Sequence, residues 1–181
     1  MDDKILVEKC LSGDQKACKE LFDQYASPML ALCNRYFTNS NEAEDAVQDG
    51  FIKIFQNLHT FKSDGPLGAW IRRIMVNTCL SKIKSWYSVH MESNEEAFYD
   101  RSVEPDAISE ISYQEIEILI NKLPPGYRTV FNLSIVEGYS YTEIAELLNV
   151  TESTCRSQLF KAKNYLARQI IKLNPNLKYS L

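Results

Sequence analysis

Apolar side chains recur every three or four positions through most of this chain, whereas the strict alternation typical of half-buried β-strands is rare. The clearest example is residues 41–59, NEAEDAVQDGFIKIFQNLH, whose acidic side chains gather in the first turns, where the helix dipole favours them. One apolar face of this segment collects Ala43, Val47, Phe51, Ile54, Phe55 and Leu58. The pattern predicts an all-α protein in which residues 41–59 form an amphipathic helix.

Further helices are predicted on both sides of this segment. The same periodicity indicates a helix at residues 14–25 and another at residues 69–86. A separate helix is expected to begin at Ser27-Pro28, because proline is favoured in a first helical turn. Before residues 69–86, the run Asp64-Gly65-Pro66 predicts a turn within a loop.

The last quarter of the chain has the pattern of a helix-turn-helix. Ser140 and Glu143 have the spacing of a capping box, and Thr151 is placed to cap the final helix. Between these two starts, Asn149 suits a tight turn, since asparagine tolerates the left-handed conformation. Two short helices joined by such a turn form a helix-turn-helix. The inward positions of its second helix are Cys155, Leu159, Ala162 and Leu166.

An acidic segment separates the two helical blocks. Residues 91–110, MESNEEAFYDRSVEPDAISE, hold seven acidic side chains and one basic one. A segment so poor in large apolar residues is expected to be a solvated, flexible tether. We therefore predict two small helical domains, residues 1–90 and 108–174, joined by a linker at residues 91–107. The second domain would open on a helix at residues 108–122.

Charge is distributed unevenly along the chain. There are 24 Asp and Glu residues against 20 Lys and Arg, yet residues 153–172 contain five basic side chains and no acid. A helix in the DNA major groove lies close to phosphates, which repel acids and attract Lys and Arg. DNA binding is one interpretation of this stretch. A helical hairpin with a solvated basic face is the other.

A second acid-free stretch, residues 65–91, mixes basic and aromatic side chains. These are Arg72, Arg73, Lys82, Lys84, Trp70, Trp86 and Tyr87. Such a mixture suits single-stranded nucleic acid, where bases stack on rings and phosphates pair with cations. Trp70 itself is expected to lie in the core.

The helix at residues 41–59 has a polar face of its own. Asp45, Gln48 and Asp49 share this face, and Ile52 interrupts it with apolar surface. The mixed patch fits a protein partner, and it fits an ordinary solvated face equally well.

No pattern for catalysis, metal binding or membrane insertion is visible. The five cysteines form no CxxC pair and the two histidines lie far apart, so we predict reduced, mostly buried thiols and neither a metal nor a cofactor. No histidine-centred triad or phosphate-binding loop is present, which argues against an enzyme. No apolar run approaches the ~18 residues of a membrane span, and the N-terminus lacks a signal peptide. The protein is expected to be cytoplasmic.

The order of these features resembles the extracytoplasmic-function (ECF) sigma factors of bacterial RNA polymerase. AEDAVQDGFIKIFQNLHTF is similar to the conserved helix of the family's second region, and AWIRRIMVNTCLSKIKS to its promoter-melting helix. LPPGYRTVFNLSIVEGYSYTEIAELLNVTESTCRSQLFKAKNYL resembles the fourth region throughout. The resemblance implies a protein that binds core RNA polymerase and directs promoter-specific initiation, with an anti-sigma factor as a further possible partner.

The resemblance also implies three sets of site residues. Those that dock on polymerase, at the clamp helices of its largest subunit, are Asp45, Gln48, Asp49 and Ile52. Those that hold the single-stranded −10 element are Lys62, Ser63, Asp64, Gly65, Leu67, Arg72, Arg73 and Asn77. Those that read the duplex −35 element, beside the polymerase flap, are Thr151, Ser153, Thr154, Arg156, Ser157, Phe160, Lys161 and Lys163.

Three alternatives share some of these features. A helix-turn-helix repressor or activator would bind duplex promoter DNA without polymerase. An enzyme would need a catalytic constellation that the sequence does not display. A pure interaction module, such as a sigma mimic that binds a regulator, would not need the basic residues of the last helix.

Overall fold

The computed structural model of the protein describes residues 2–90 and 113–173, with side chains for residues 2–84 and 115–173. Every regular element in these ranges is helical, which confirms the predicted all-α class. The chain divides into two compact units, Met1–Val89 and His90–Leu181. The predicted linker at residues 91–107 lies outside the described residues.

The first unit packs long helices around one another. They are α1 (Asp3–Leu11), α2 (Gln15–Asn34), α3 (Ser40–Asn57), which continues into a single 3-10 turn (Leu58–Thr60), and α4 (Leu67–His90). The predicted apolar face of α3 is buried at every position except Phe55, which is half-buried. Ala46 and Gly50 extend this buried face, and Gly50 lies against Met75 of α4. The sequence prediction for residues 41–59 is therefore confirmed.

The predicted break at Ser27-Pro28 is wrong, because α2 runs through this position without interruption. Pro28 cannot donate a backbone hydrogen bond, and proline in a helix interior costs about 3 kcal/mol. The face of α2 that continues across the proline is buried at Leu21, Met29, Leu32 and Cys33. Burying each large apolar side chain contributes about 1.5–3 kcal/mol, so the continuous stripe outweighs the missing bond.

The cysteines are free, and four of the five are buried, as the sequence predicts. The Sγ atoms of Cys33 on α2 and Cys79 on α4 lie 3.6 Å apart inside the first unit. Burial and the neighbouring Cys18 thiol raise the pKa of Cys10 to about 12. Because the thiolate is the reactive form, Cys10 is a packing residue at neutral pH.

The second unit contains α5 (Tyr113–Asn121), α6 (Pro125–Phe131), a π-helical turn (Asn132–Val136), α7 (Tyr141–Leu148) and α8 (Glu152–Leu173). The helix predicted at residues 108–122 is described from Tyr113 onward. All four predicted inward positions of α8 are buried. The Nη1 atom of Arg128, itself a buried residue, donates to the carbonyl oxygen of Asn121 at 3.0 Å and thereby satisfies the C-terminal end of α5.

The crossing of α3 and α4 at Gly50 yields a stability prediction. A Cβ atom at this position would overlap the Sδ atom of Met75 and lie 2.5 Å from its Cε atom. Met75 is fully buried, so its Sδ and Cε atoms can move away only by shifting within the core. Overpacking costs about 1–3 kcal/mol, and alanine recovers up to about 1 kcal/mol through helix propensity. We expect Gly50→Ala to lower the free energy of unfolding by about 1–2 kcal/mol in a denaturant titration.

Gly65→Ala is the matched control. No atom lies within 4 Å of a Cβ built at Gly65, and its backbone is not left-handed. Its free energy of unfolding should stay within about 0.5 kcal/mol of the wild type, as for other unconstrained surface positions. Equal stability of the Gly50 and Gly65 variants would contradict a tight crossing.

Candidate nucleic-acid and polymerase interfaces

The helix-turn-helix predicted in the second unit is formed by α7 and α8. The amide of Glu143 donates to the Ser140 Oγ atom at 3.3 Å, and the Ser140 amide donates back to a Glu143 carboxylate oxygen at 2.8 Å, which completes the capping box. The first helix ends at Asn149, in the left-handed conformation with φ 56°. Thr151 then caps α8, because its Oγ1 atom accepts from the Thr154 amide at 3.1 Å. The predicted caps and turn are confirmed.

Most of the −35 set lies on the outer surface of α8. The exposed members on this helix are Ser153, Arg156, Ser157, Phe160, Lys161 and Lys163, and Thr154 is half-buried. Relative to Ser153, the next four lie at i+3, i+4, i+7 and i+8, which is one face of a helix. Phe160 is the most unusual of these, with 57% of its surface exposed. These side chains combine hydroxyl, cationic and aromatic groups, and none of them is an acid.

Arg156 is held in place by residues outside the three predicted site sets. Its Nη2 atom lies 3.1 Å from Oε2 of Glu152, and its Cζ atom lies 5.0 Å from the ring centroid of Tyr141. The other carboxylate oxygen of Glu152 accepts from the Thr142 hydroxyl at 2.8 Å. The hydrogen bonds from Thr142 and Arg156 lower the pKa of Glu152. We call Tyr141, Thr142, Glu152 and Arg156 the Arg156 cluster.

Only part of this cluster could have been found from the sequence. Glu152 and Arg156 have the i, i+4 spacing of a helical ion pair, which is a local signal. Thr142 and Tyr141 lie on α7, ten and fifteen positions before their partners, and no local pattern links them to α8. A comparable contact places Lys161 Nζ 6.0 Å from the ring centroid of Tyr127.

The predicted −10 loop is exposed at its tip but not at its end. Lys62, Ser63, Asp64 and Gly65 are exposed, and Ser63 adopts a left-handed backbone with φ 59°. Leu67, by contrast, is fully buried, and its amide donates to an Asp3 carboxylate oxygen at 3.2 Å. The inclusion of Leu67 among the DNA-contacting residues is therefore corrected: its side chain belongs to the core and anchors the start of α4.

The predicted DNA-binding residues of α4 differ in how exposed they are. Arg73 and Asn77 are exposed and one turn apart, whereas Arg72 is half-buried. Trp70 is half-buried as well, and its ring centroid lies 5.6 Å from that of Phe61. The expectation of a core tryptophan is thus only partly correct, because part of the residue remains at the surface.

All four members of the polymerase-binding set are exposed on α3, and Ile52 has 55% of its surface exposed. Asp49 is already engaged, because one of its carboxylate oxygens lies 2.6 Å from Lys82 Nζ on α4. Next to it, Lys53 Nζ donates to the Thr78 hydroxyl at 3.3 Å. The outer face of α3 is therefore connected to α4 by polar contacts above the buried crossing.

The two units match known protein families separately. Residues 21–86 match the model of sigma-70 region 2, and residues 112–166 match the model of sigma-70 region 4. The ECF RNA polymerase sigma-E factor of Escherichia coli K12 is 30% identical over 94% of this chain and 95% of its own length. The chain belongs to the ECF RNA polymerase sigma factors. The sigma-E factor of Haemophilus influenzae is also similar, at 28% identity over 94% of this chain and 96% of its own.

Two solved structures share the fold of this ECF family member. The structure of CnrH in complex with the cytosolic domain of CnrY aligns with a TM-score of 0.50 at 20% identity, over 93% of this chain and 96% of that one. The sigma factor RpoE in complex with the anti-sigma factor NepR, from Bartonella quintana, aligns with a TM-score of 0.52 at 21% identity, over 86% and 97% of the two chains. At these identities the likeness is one of fold.

The described parts of the chain contain neither a metal-binding cluster nor a membrane-spanning helix. Within residues 2–90 and 113–173, no group of three or more His, Cys, Asp or Glu side chains is placed to hold a metal ion. In the same ranges, none of the helices combines the length and apolar character needed to cross a membrane.

Proposed function

We propose that this ECF sigma factor divides promoter recognition between its two units. Residues 1–90 dock on core RNA polymerase and hold the unpaired −10 strand, and residues 108–174 read the −35 element as duplex. Residues 91–107 join them. The observation that carries this proposal is the outer face of α8 from Ser153 onward, which is exposed, cationic and free of acid. The protein acts in the cytoplasm and catalyses no reaction itself.

On the −35 side, α8 enters the major groove with its N-terminal turns toward the bases. Arg156 lies in these turns, and a guanidinium can donate two hydrogen bonds to the O6 and N7 atoms of guanine. Phe160 is placed for apolar contact with a thymine methyl group. Lys161 and Lys163 lie further along α8 and pair with phosphates, where they replace condensed counterions. Thr151 serves mainly as the cap that sets the direction of the helix.

On the −10 side, the exposed loop and α4 form a surface for unpaired bases. Capturing a flipped base offsets part of the cost of unstacking it. The tip of the loop, from Lys62 to Gly65, supplies polar groups for that base, and the strand continues along Arg73 and Asn77. Trp70, which is partly exposed, offers a ring on which a base can stack.

On the polymerase side, α3 presents a small apolar anchor inside a polar rim. Ile52 provides the anchor, and Asp45 and Gln48 provide the rim, an arrangement typical of binding hot spots. Asp49 contributes less, because docking must compete with its contact to Lys82. An anti-sigma factor is a second partner of the chain, by analogy with the RpoE–NepR complex.

Specific transcription in vitro tests the function as a whole. Core RNA polymerase supplied with the purified protein should initiate at discrete sites on genomic templates, and the core enzyme alone should not. A repressor or activator would bind duplex promoters but leave the core enzyme without specific starts. That second result would refute the proposal.

The α3 surface yields a prediction on polymerase affinity. Ile52→Ala combined with Asp45→Ala should weaken binding to core enzyme at least tenfold in a quantitative pull-down, since each hot-spot residue is worth about 1–2 kcal/mol or more. Asp49→Ala should have a smaller effect. Glu20→Ala is the control, because it removes an exposed acid from α2, outside the α3 surface. Wild-type affinity of the double variant would exclude this surface as the docking site.

The loop yields a prediction on promoter opening. Asp64→Ala should reduce transcription from a fully duplex promoter more than from the same promoter with a pre-opened bubble, because base capture offsets the cost of opening. The two templates are measured side by side with equal amounts of holoenzyme. Equal losses on both would mean that the loop acts on something other than melting.

The α8 surface yields a prediction that separates two kinds of contact. Arg156→Ala should cost about 1–3 kcal/mol and relax the base preference at one −35 position. Lys161→Ala should weaken binding to all sequences alike and lower the slope of log K against log salt by about one unit. Both are measured by competition binding of holoenzyme at several salt concentrations. Identical behaviour of the two variants would contradict the assigned roles.

A further inference from the structure

The Arg156 cluster holds its charged groups by more contacts than an ion pair between neighbours on one helix would. Glu152 contacts Arg156 through Oε2 at 3.1 Å and Thr142 through Oε1 at 2.8 Å. The first contact lies within α8, whereas the second crosses to α7. Both carboxylate oxygens are therefore engaged, and the carboxylate is anchored from outside the helix that bears it.

The guanidinium is restrained from two directions. Glu152 accepts from one amino group, and the Tyr141 ring lies 5.0 Å from the Cζ atom, within the range of a cation–π contact. The Arg156 side chain is nevertheless 64% exposed. A guanidinium has five N–H donors, and Glu152 uses one amino group, so donors remain available to a ligand.

This arrangement favours base contact over phosphate contact. A planar guanidinium whose direction is already set loses less freedom when it forms a two-pronged hydrogen bond, so such a bond forms more readily. The Glu152 charge also repels phosphates near the guanidinium, whereas a neutral base edge is not repelled. Lys161, in contrast, carries its ammonium on a flexible stem and is suited to phosphates.

We infer that Glu152 is a positioning residue that sets the direction of Arg156 and thereby the base preference of α8 at one −35 position. The inference rests on the proposed role of α8 in −35 recognition. Glu152 itself need not contact DNA. Thr142 and Tyr141 take part by fixing the carboxylate and the guanidinium to α7.

The test measures base preference position by position. Wild-type and variant proteins are assembled with core RNA polymerase and bound to duplex promoters randomised across the −35 element, and the bound fraction is sequenced. Glu152→Gln removes the charge but keeps the size and an oxygen that can accept from Thr142. Glu152→Gln should lower the preference for one base over the others by about fivefold or more, the lower limit for a two-pronged base contact. This loss should occur at the same −35 position at which Arg156→Ala removes the preference. The other positions should keep their preferences.

Two further variants separate positioning from charge and from folding. Glu146→Gln removes an equal charge from an exposed site on α7 outside the Arg156 cluster, and it should leave every preference intact. Thr142→Val removes the anchor but leaves the Glu152 charge, and it should cause a partial loss at the same single position. Because Thr142 is exposed, this variant provides a readout even where Glu152→Gln folds poorly.

Three results would overturn the inference. Full preference in Glu152→Gln alongside a loss in Arg156→Ala would refute positioning and leave the Arg156 base contact standing. A uniform loss of affinity in Glu152→Gln, with preferences unchanged, would show that the carboxylate only supports the fold. Unchanged preferences in both variants would refute the base contact of Arg156 and the role of Glu152 together.

Discussion

Burial of the apolar stripe on α8 is the constraint on which the candidate DNA interface depends. Cys155 and Leu159 are almost completely enclosed by the second unit, so the helix cannot rotate about its axis without exposing them. Their burial directs Arg156 and Phe160 outward, whatever those side chains contact. The core of this unit thus fixes the orientation of the candidate DNA interface, because side chains in a packed interior tolerate little displacement.

In the first unit, the crossing of α3 and α4 fixes the exposed faces in the same way. Gly50 lets α3 approach the Met75 side chain of α4 closely, and the polar contacts Asp49–Lys82 and Lys53–Thr78 bridge the two helices beside the crossing. The proposed polymerase surface on α3 and the proposed strand-binding surface on α4 are therefore parts of one rigid packing arrangement. A substitution on the α3 surface that shifted the crossing would therefore also move the surface on α4.

The distribution of charge differs between the first turn of α8 and the rest of the helix. An acid in the first turn is favoured by the helix dipole, and Glu152 occupies that place; the remainder of α8 is free of acids. The single carboxylate lies beside the one arginine in the early turns, where direction matters most for base contacts. The lysines further along have no comparable restraint from a carboxylate on α8, in keeping with a role that depends on charge more than on geometry.

The sequence by itself determined the helix-turn-helix with its caps and the buried faces of α3 and α8, because these depend on residues a few positions apart. The all-α class, the apolar face of α3, the capping box at Ser140 and the inward stripe of α8 were all predictable in this way. Motif order was also sufficient to identify the family, since the region 2 and region 4 patterns span most of the chain.

Only the tertiary structure decided which local signals prevailed and which surface residues were already engaged. Pro28 signals a helix start, yet α2 continues because its buried stripe is stabilised by contacts with other helices. Leu67 falls in a loop motif, yet it packs into the core beside Asp3, which is 64 positions earlier in the chain. Tyr141 meets Arg156 across the turn at Asn149. Each of these depends on contact between segments that are separate in sequence, and helical periodicity carries no information about such contacts.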